Sequence, residues 1–212
     1  MTKTNQQKVK DFLINNGVII VMFILVIYTG FTSDNFFTKN NFMNILMNMS
    51  SRLVIALGIA GCVITAGCDL SAGRMIGFGA CISGMLLQRM DYSGKFFPDM
   101  QPLNVFVVAL IAMLVCAAFG TVTGFFIAYL NVPPFIATLA MMEIVYGIGL
   151  IVTNATPLGG YVEQYTNVSN GKFLGINYLI WIAIIVAAIT WFIFNMTRHG
   201  KYMYAIGGNP QA

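Results

Sequence analysis

VFVVALIAMLVCAAFGTVTGFFIAYL, residues 105–130, contains no Asp, Glu, Lys or Arg. At 1.5 Å per residue a helix over this stretch is about 39 Å long, more than the roughly 30 Å of a bilayer's hydrocarbon core, so it spans a membrane with tilt. Strands of a membrane β-barrel would alternate apolar and polar over about ten residues. This run is continuously apolar, so a helix is expected. Asn131-Val132-Pro133-Pro134 closes it, because proline lacks an N–H and restricts the residue before it.

The rest of the chain carries the same signature. Of its 212 residues 58% are hydrophobic and 8% are charged, against roughly 25% charged in a soluble domain. With a mean hydropathy of +0.79 there is too little charge to cover a water-facing surface. The net charge of +4 is too weak and too dispersed for a nucleic-acid-binding face, so no nucleic acid is expected as a partner. Lipid is the expected solvent.

Working outward from 105–130, five further apolar segments fit spans: 17–31, 53–66, 75–88, 135–152 and 176–196. The fold class expected is an all-α, polytopic bundle of about six helices over 17–196, with 1–16 and 197–212 as polar end segments. Lys3, Lys8 and Lys10 precede the first run as in a secretory signal, but no convincing small-residue cleavage site follows, so that run is read as a retained span. Phe42, Ile45, Leu46 and Met49 recur at helical spacing and form an amphipathic lead into the second span. An even number of spans puts both ends on one side. The lysines at the start, with Arg198 and Lys201 at the end, place that side in the cytoplasm of a bacterial plasma membrane.

Several residues are candidates for function. Glu143 is the most isolated charge in a span, and such a charge needs a partner, a wet cavity or a proton. A position nearer the interface, or a hydrogen bond to a neighbouring helix, would also accommodate it. Residues 67–74 interrupt an apolar block with Gly67, Asp69, Gly73 and Arg74, where Asp69 and Arg74 can pair. A tight turn capped by Asp69 is one reading and a substrate site the other, since irregular backbone in hydrocarbon must be buried by protein or reached by water. Gly73 with Gly77, and Gly120 with Gly124, have the spacing that lets helices approach closely. Asp69, Thr138, Glu143 and Asn154 are the pathway candidates, on polarity.

Other chemistries lack their residues. The Gly-Lys pairs ending at Lys95, Lys172 and Lys201 are followed by Phe, Phe and Tyr, not the Ser or Thr of a nucleotide-binding loop. There is no Gly-x-Ser-x-Gly elbow and no His-Glu-x-x-His helix. Cys62, Cys68, Cys81 and Cys116 lack C-x-x-C spacing and have one histidine, His199, to work with, so no metal is expected. The chain is read as neither an enzyme nor cofactor-dependent. Asn209-Pro210 reads as an N-cap followed by proline at the first helical position, and a helix begun there and not built marks a piece of a longer chain.

Three segments, TAGCDLSAG at 65–73, VPPFIATL at 132–139 and GKYMYAIGGNP at 200–210, carry a resemblance covering the chain from its first span to its last residue. In this order and spacing they resemble the membrane permeases of bacterial ATP-binding-cassette sugar importers, in the branch that takes up ribose, galactose and related monosaccharides. DLSAGR at 69–74, LLQRMD at 86–91 and IAYLNV at 127–132 look most like its galactose/methyl-galactoside members. The resemblance implies a permease of about ten spans. It implies a second permease copy, a cytoplasmic ATPase subunit that hydrolyses ATP, and a periplasmic or extracellular sugar-binding protein as partners. It further implies that the segment from Gly207, Gly208, Asn209 and Pro210 begins the helix that couples to the ATPase; Tyr202 and Tyr204 are candidate anchors. The rival is an ion-coupled secondary transporter using Glu143. An accessory membrane subunit with no pathway is a third class.

Overall fold

A computed structural model describes residues 13–209. The expected end segment 1–16, with its three lysines, therefore lies outside the described residues as far as position 12, and so does Pro210. The chain divides after Asn48 into two compact units.

The first unit holds α1 (Gly17–Thr32) and the start of α2 (Lys39–Ile64). Helix α1 is apolar all round and buries no residue, and residues 13–15 are helical ahead of it. Thr38 opens α2, its hydroxyl oxygen accepting the Asn41 N–H at 3.3 Å in an N-cap. The amphipathic lead and the second span are thus one helix.

In the second unit, α3 (Ala72–Leu86) lies against α4 (Val105–Leu130) and α5 (Pro134–Val152). Phe78 and Ile82 of α3, Ala112 of α4, and Met141 and Val145 of α5 form its core. The Phe78 and Phe119 rings meet edge to face with centroids 5.5 Å apart, the arrangement the ring quadrupoles prefer. After α5 come α6 (Glu163–Asn170), a hairpin of β1 (Lys172–Phe173) and β2 (Ile176–Asn177), then α7 (Tyr178–Met196) and α8 (Arg198–Gly208). The hairpin turns on Leu174 (φ 53°) and Gly175 (φ 78°), the two positive dihedrals that a two-residue loop requires. Asn177 fastens this region: its Oδ1 accepts the Leu179 N–H at 2.8 Å as the cap of α7, and its Nδ2 donates to the Ser169 carbonyl at 2.6 Å.

Helices α2, α4, α5 and α7 are long and apolar enough to cross a membrane, and α1 and α3 are shorter apolar helices at the other two expected positions. All six thus match the segments read as spans. The loop expected over 154–175 contains α6 and β1. The tail expected as a polar loop is helical over most of its length, because Thr197 caps α8, accepting the Gly200 N–H on its hydroxyl oxygen at 3.4 Å.

The close-packing role expected of the paired glycines is not what is found. A Cβ added to Gly73, Gly77, Gly120 or Gly124 would meet nothing within 4 Å. The glycines under close contact are others. At Gly200 a Cβ would collide with the Phe194 carbonyl, and at Gly207 with the Ile64 carbonyl. The methyl of Met203 would lie 2.9 Å from a Cβ on Gly61. Helix α8 is thereby seated backbone to backbone on the last turns of α7 and α2.

Candidate functional site

Helix α2 ends in a left-handed residue, Ala66 (φ 57°). The Gly67 N–H donates to the Cys62 carbonyl at 2.8 Å and the Ala66 N–H to the Val63 carbonyl at 3.1 Å. These two bonds are the Schellman pattern, with alanine where glycine is the usual occupant. The chain then runs without regular structure to Asp69, whose Oδ1 accepts both the Ser71 N–H at 2.8 Å and the Ser71 hydroxyl at 2.7 Å, and α3 begins at Ala72. The turn reading of 67–74 therefore describes Asp69, but the capping role does not: Ser71 is the N-cap of α3 and no side chain caps it. The expected Asp69–Arg74 pair is not formed: Asp69 engages Ser71, and the Arg74 guanidinium lies 4.0 Å from the centroid of the Tyr146 ring on α5.

That contact fixes the depth at which α3 begins. Arg74 meets Tyr146, and Phe78 lies 3.8 Å from where a Cβ on Gly149 would stand, so α3 and α5 run parallel. Tyr146 is about 18 Å along α5 from Pro134 at 1.5 Å per residue. Helix α3 thus starts part-way along its neighbour, and the irregular residues 65–71 cover the remaining length. Backbone of this kind survives at membrane depth only beside protein or water.

Protein packs on one side of it, and a cavity opens on the other. A cavity of about 220 Å³ lies between the end of α2, residues 67–71, the last turns of α4 and the first turns of α5. It has room for about seven waters at roughly 30 Å³ each. Asp69 and Thr138 line it, together with Thr65, Thr123, Cys62 and Cys68. The three threonine hydroxyls donate along their own helices, Thr138 to the Pro134 carbonyl at 2.8 Å, Thr123 to Phe119 at 3.0 Å and Thr65 to Cys62 at 3.0 Å. Each keeps acceptor capacity for a ligand hydroxyl or water. Gly120 and Gly124 also line the cavity, so the space that side chains would fill on α4 stays open.

The four pathway candidates therefore separate. Asp69 and Thr138 share one cavity. Glu143 is exposed on α5 outside it, and Asn154 is an exposed left-handed residue (φ 51°) in the turn beyond the far end of α5. Thr138 and Asn154 are separated by about 24 Å of helix axis. Sequence reasoning missed the Arg74–Tyr146 contact, because the spacing of α3 on α5 is not written in either helix alone. An arginine near the bilayer centre costs about 2.5–3.5 kcal/mol and a cation–π contact returns about 0.5–2 kcal/mol, so the ring does not by itself accommodate the charge. The first turn of α3 adds to the cost, since the helix dipole is positive there.

Of the coupling candidates, Tyr202, Tyr204, Gly207 and Gly208 lie on α8. Tyr202 and Tyr204 are 66% and 52% exposed, whereas Gly207 is pressed on the end of α2. Gly208 is open, and Asn209 is the C-cap of α8, donating its N–H to Ala205 at 2.9 Å. The N-cap role expected of Asn209 concerns a helix that would begin at Pro210, outside the described residues. Its extended backbone is what a residue before proline adopts. The contact of Gly207 with Ile64 joins α8 to the cavity, because Thr65 follows directly and lines it.

Residues 41–212 match the family model of the permease component of branched-chain amino acid transport systems. The chain belongs to that permease family. This permease is 39% identical over its whole length to the galactose/methyl galactoside import permease protein MglC of Escherichia coli K12, and 40% identical to MglC of Haemophilus influenzae. It is 31% identical over 96% of its length to the ribose import permease protein RbsC of E. coli K12. The permease spans 65% of the length of each MglC and 61% of that RbsC. No solved structure matches it. A multi-pass, all-α membrane permease is thus the shared conclusion of composition, helices and family.

Proposed function

We propose that this chain is the membrane permease subunit of an ATP-binding-cassette importer that carries a monosaccharide, of the galactose/methyl-galactoside class, into the cytoplasm. The observation that carries the reading is the identity of about two residues in five with galactose/methyl galactoside import permeases over the full chain. In this reading the chain performs no catalysis. It works as one of two permease copies, with a cytoplasmic ATPase subunit on one side and a periplasmic or extracellular sugar-binding protein on the other. Residues 17–196 form the transmembrane bundle, and 1–16 and 197–212 are cytoplasmic.

The mechanism is alternating access, in which nucleotide and partners shift an equilibrium only by their differential affinity for its two states. Tyr202, Tyr204, Gly208, Asn209 and Pro210 supply the ATPase contact, and Gly207 passes its movement to the end of α2. Residues 65–71 then move as one wall of the cavity that holds Asp69 and Thr138. Glu143 on α5 and Asn154 in the turn beyond it serve the pathway outside that cavity. Family membership favours this over an ion-coupled transporter.

The test is uptake of radiolabelled galactose into proteoliposomes containing the permease with its ATPase and binding protein. Uptake is expected to require ATP and all three components, and to persist when ion gradients are collapsed. Replacing Gly208 and Asn209 is expected to leave insertion intact while ATP hydrolysis no longer drives uptake. Uptake that follows a proton or sodium gradient without the ATPase, and is lost in Glu143→Gln, would establish the ion-coupled reading instead.

A further inference from the structure

Arg74 is a charged group of the membrane region that the cavity beside Asp69 does not explain. Arg74 is exposed, sits in the first turn of a helix that begins at depth, and forms no ion pair among the described residues. Its partner is the Tyr146 ring, which is itself 40% exposed. A guanidinium there cannot face hydrocarbon, because the ring returns only part of its desolvation cost and the helix dipole opposes it. The space around the pair is open: Gly73 and Gly77 on α3 and Gly147 on α5 each have nothing within 4 Å of a Cβ position. Arg74, Gly77 and Tyr146 line a cavity of about 180 Å³, and Glu143, exposed, precedes Tyr146 on α5 by one turn.

We propose that Arg74 and Tyr146 form a sugar-contacting wall of the aqueous pathway, with Glu143 beside them. This rests on the importer reading above. The chemistry fits a pyranose. Guanidinium offers donors in a fixed fork for ring and hydroxyl oxygens, a carboxylate accepts from hydroxyls, and a tyrosine ring gives an apolar surface for the C–H face. Bare glycine on both helices leaves room for a rigid ring to pass.

Single-cysteine variants test this, with Cys62, Cys68, Cys81 and Cys116 replaced by serine and the permease assembled with its ATPase in membranes. Tyr146→Cys is expected to react with a charged, water-soluble thiosulfonate and to be protected by galactose. Ile144→Cys, on the apolar flank of the same helix, is expected to react only with a lipophilic maleimide. Tyr146→Cys behaving like Ile144→Cys overturns the proposal. Reaction without galactose protection overturns the sugar contact. Should the cysteine variant fail to assemble, uptake decides: Tyr146→Phe is expected to retain it, while Tyr146→Leu and Arg74→Gln each lose about tenfold or more. Normal uptake in both latter variants overturns the wall. ATP-driven uptake with no protection at position 146 removes this inference alone; protection with uptake driven by an ion gradient removes the importer reading and leaves the wall.

Discussion

Residues 87–104 and 153–162 leave regular structure at one end of the α3–α5 pair, and residues 65–71 do so at the other, yet their polar groups are satisfied in opposite ways. At the first end the bonds are long-range. Gln88 is completely buried; its Nε2 donates to the Gly159 carbonyl at 3.0 Å and its Oε1 accepts the Phe96 N–H at 2.7 Å. The Arg89 N–H donates to Gly160 at 2.8 Å and the Val162 N–H to Leu87 at 2.9 Å. Gly160 (φ 68°) is held where a Cβ would enter the Tyr92 ring. At the second end the bonds are local: a Schellman pair, an aspartate turn, and threonines bonded within their own helices. Loops tied to one another resist separation, whereas a segment whose bonds are internal can shift as a piece without exposing unpaired groups. The Asp69 end is thus the one whose hydrogen bonds permit such a shift, and it is the end on which α8 is seated.

Substitutions can break this contrast. Gln88→Leu is expected to be the most damaging, costing about 1–3 kcal/mol because the part-buried Gly159 carbonyl and Phe96 N–H lose their partners together. Thermal unfolding in detergent and faster proteolysis within 87–104 would register it. Gly207→Ala forces a methyl onto the Ile64 carbonyl and is expected to cost about 1–3 kcal/mol, with sugar uptake falling alongside. Gly208→Ala, with open space around it, is expected to leave the unfolding temperature unchanged, so comparing the two separates internal seating from partner contact. Asp69→Ala removes both bonds to Ser71 and is expected to cost about 1 kcal/mol with no effect on the Gln88 end.

The Gln88 end also has a pH dependence. Burial, followed by the neighbouring Tyr165, Cys81 and Tyr92, raises the Tyr161 phenol above its ordinary value, and its hydroxyl donates to the Leu158 carbonyl at 2.9 Å. A raised pKa means that the folded state holds the proton more tightly. The stabilisation is therefore complete below the unfolded value of about 10 and is lost as pH rises through the folded one. Proteolysis of 153–162 is expected to accelerate above about pH 10, and Tyr161→Phe to abolish that step. The smallest effect has the opposite sign. Ala66→Gly is expected to stabilise the end of α2 by about 0.5–1 kcal/mol, since glycine adopts the left-handed backbone at no steric cost. A small rise in unfolding temperature would register it.

Much of this architecture is legible in the sequence because hydrocarbon is a demanding solvent. The uninterrupted run at 105–130, the Pro133-Pro134 break and the polar intervals marked all six apolar helices to within a few residues, apart from the polar lead that merges with α2. Asp69 and Thr138, which polarity alone points to, share a cavity. Glu143 and Asn154 stand on the same ground and do not, because polarity gives neither a residue's direction from the helix axis nor its place along it. The paired glycines misled for a related reason: their spacing permits close approach but names no partner, and backbone contact falls instead at Gly200 and Gly207.

The sequence by itself determined that this protein dissolves in a membrane as apolar helices, where those helices run, and to which permease family it belongs. Each of these follows from local composition and the chain's own order. Only the tertiary structure decided that α3 begins part-way along α5, that Arg74 meets Tyr146 rather than Asp69, and that α8 rests on α2 beside the cavity. These are matters of register between separate helices, set by which side chains interlock and which backbones touch, and no stretch of sequence read alone contains both sides of such a contact.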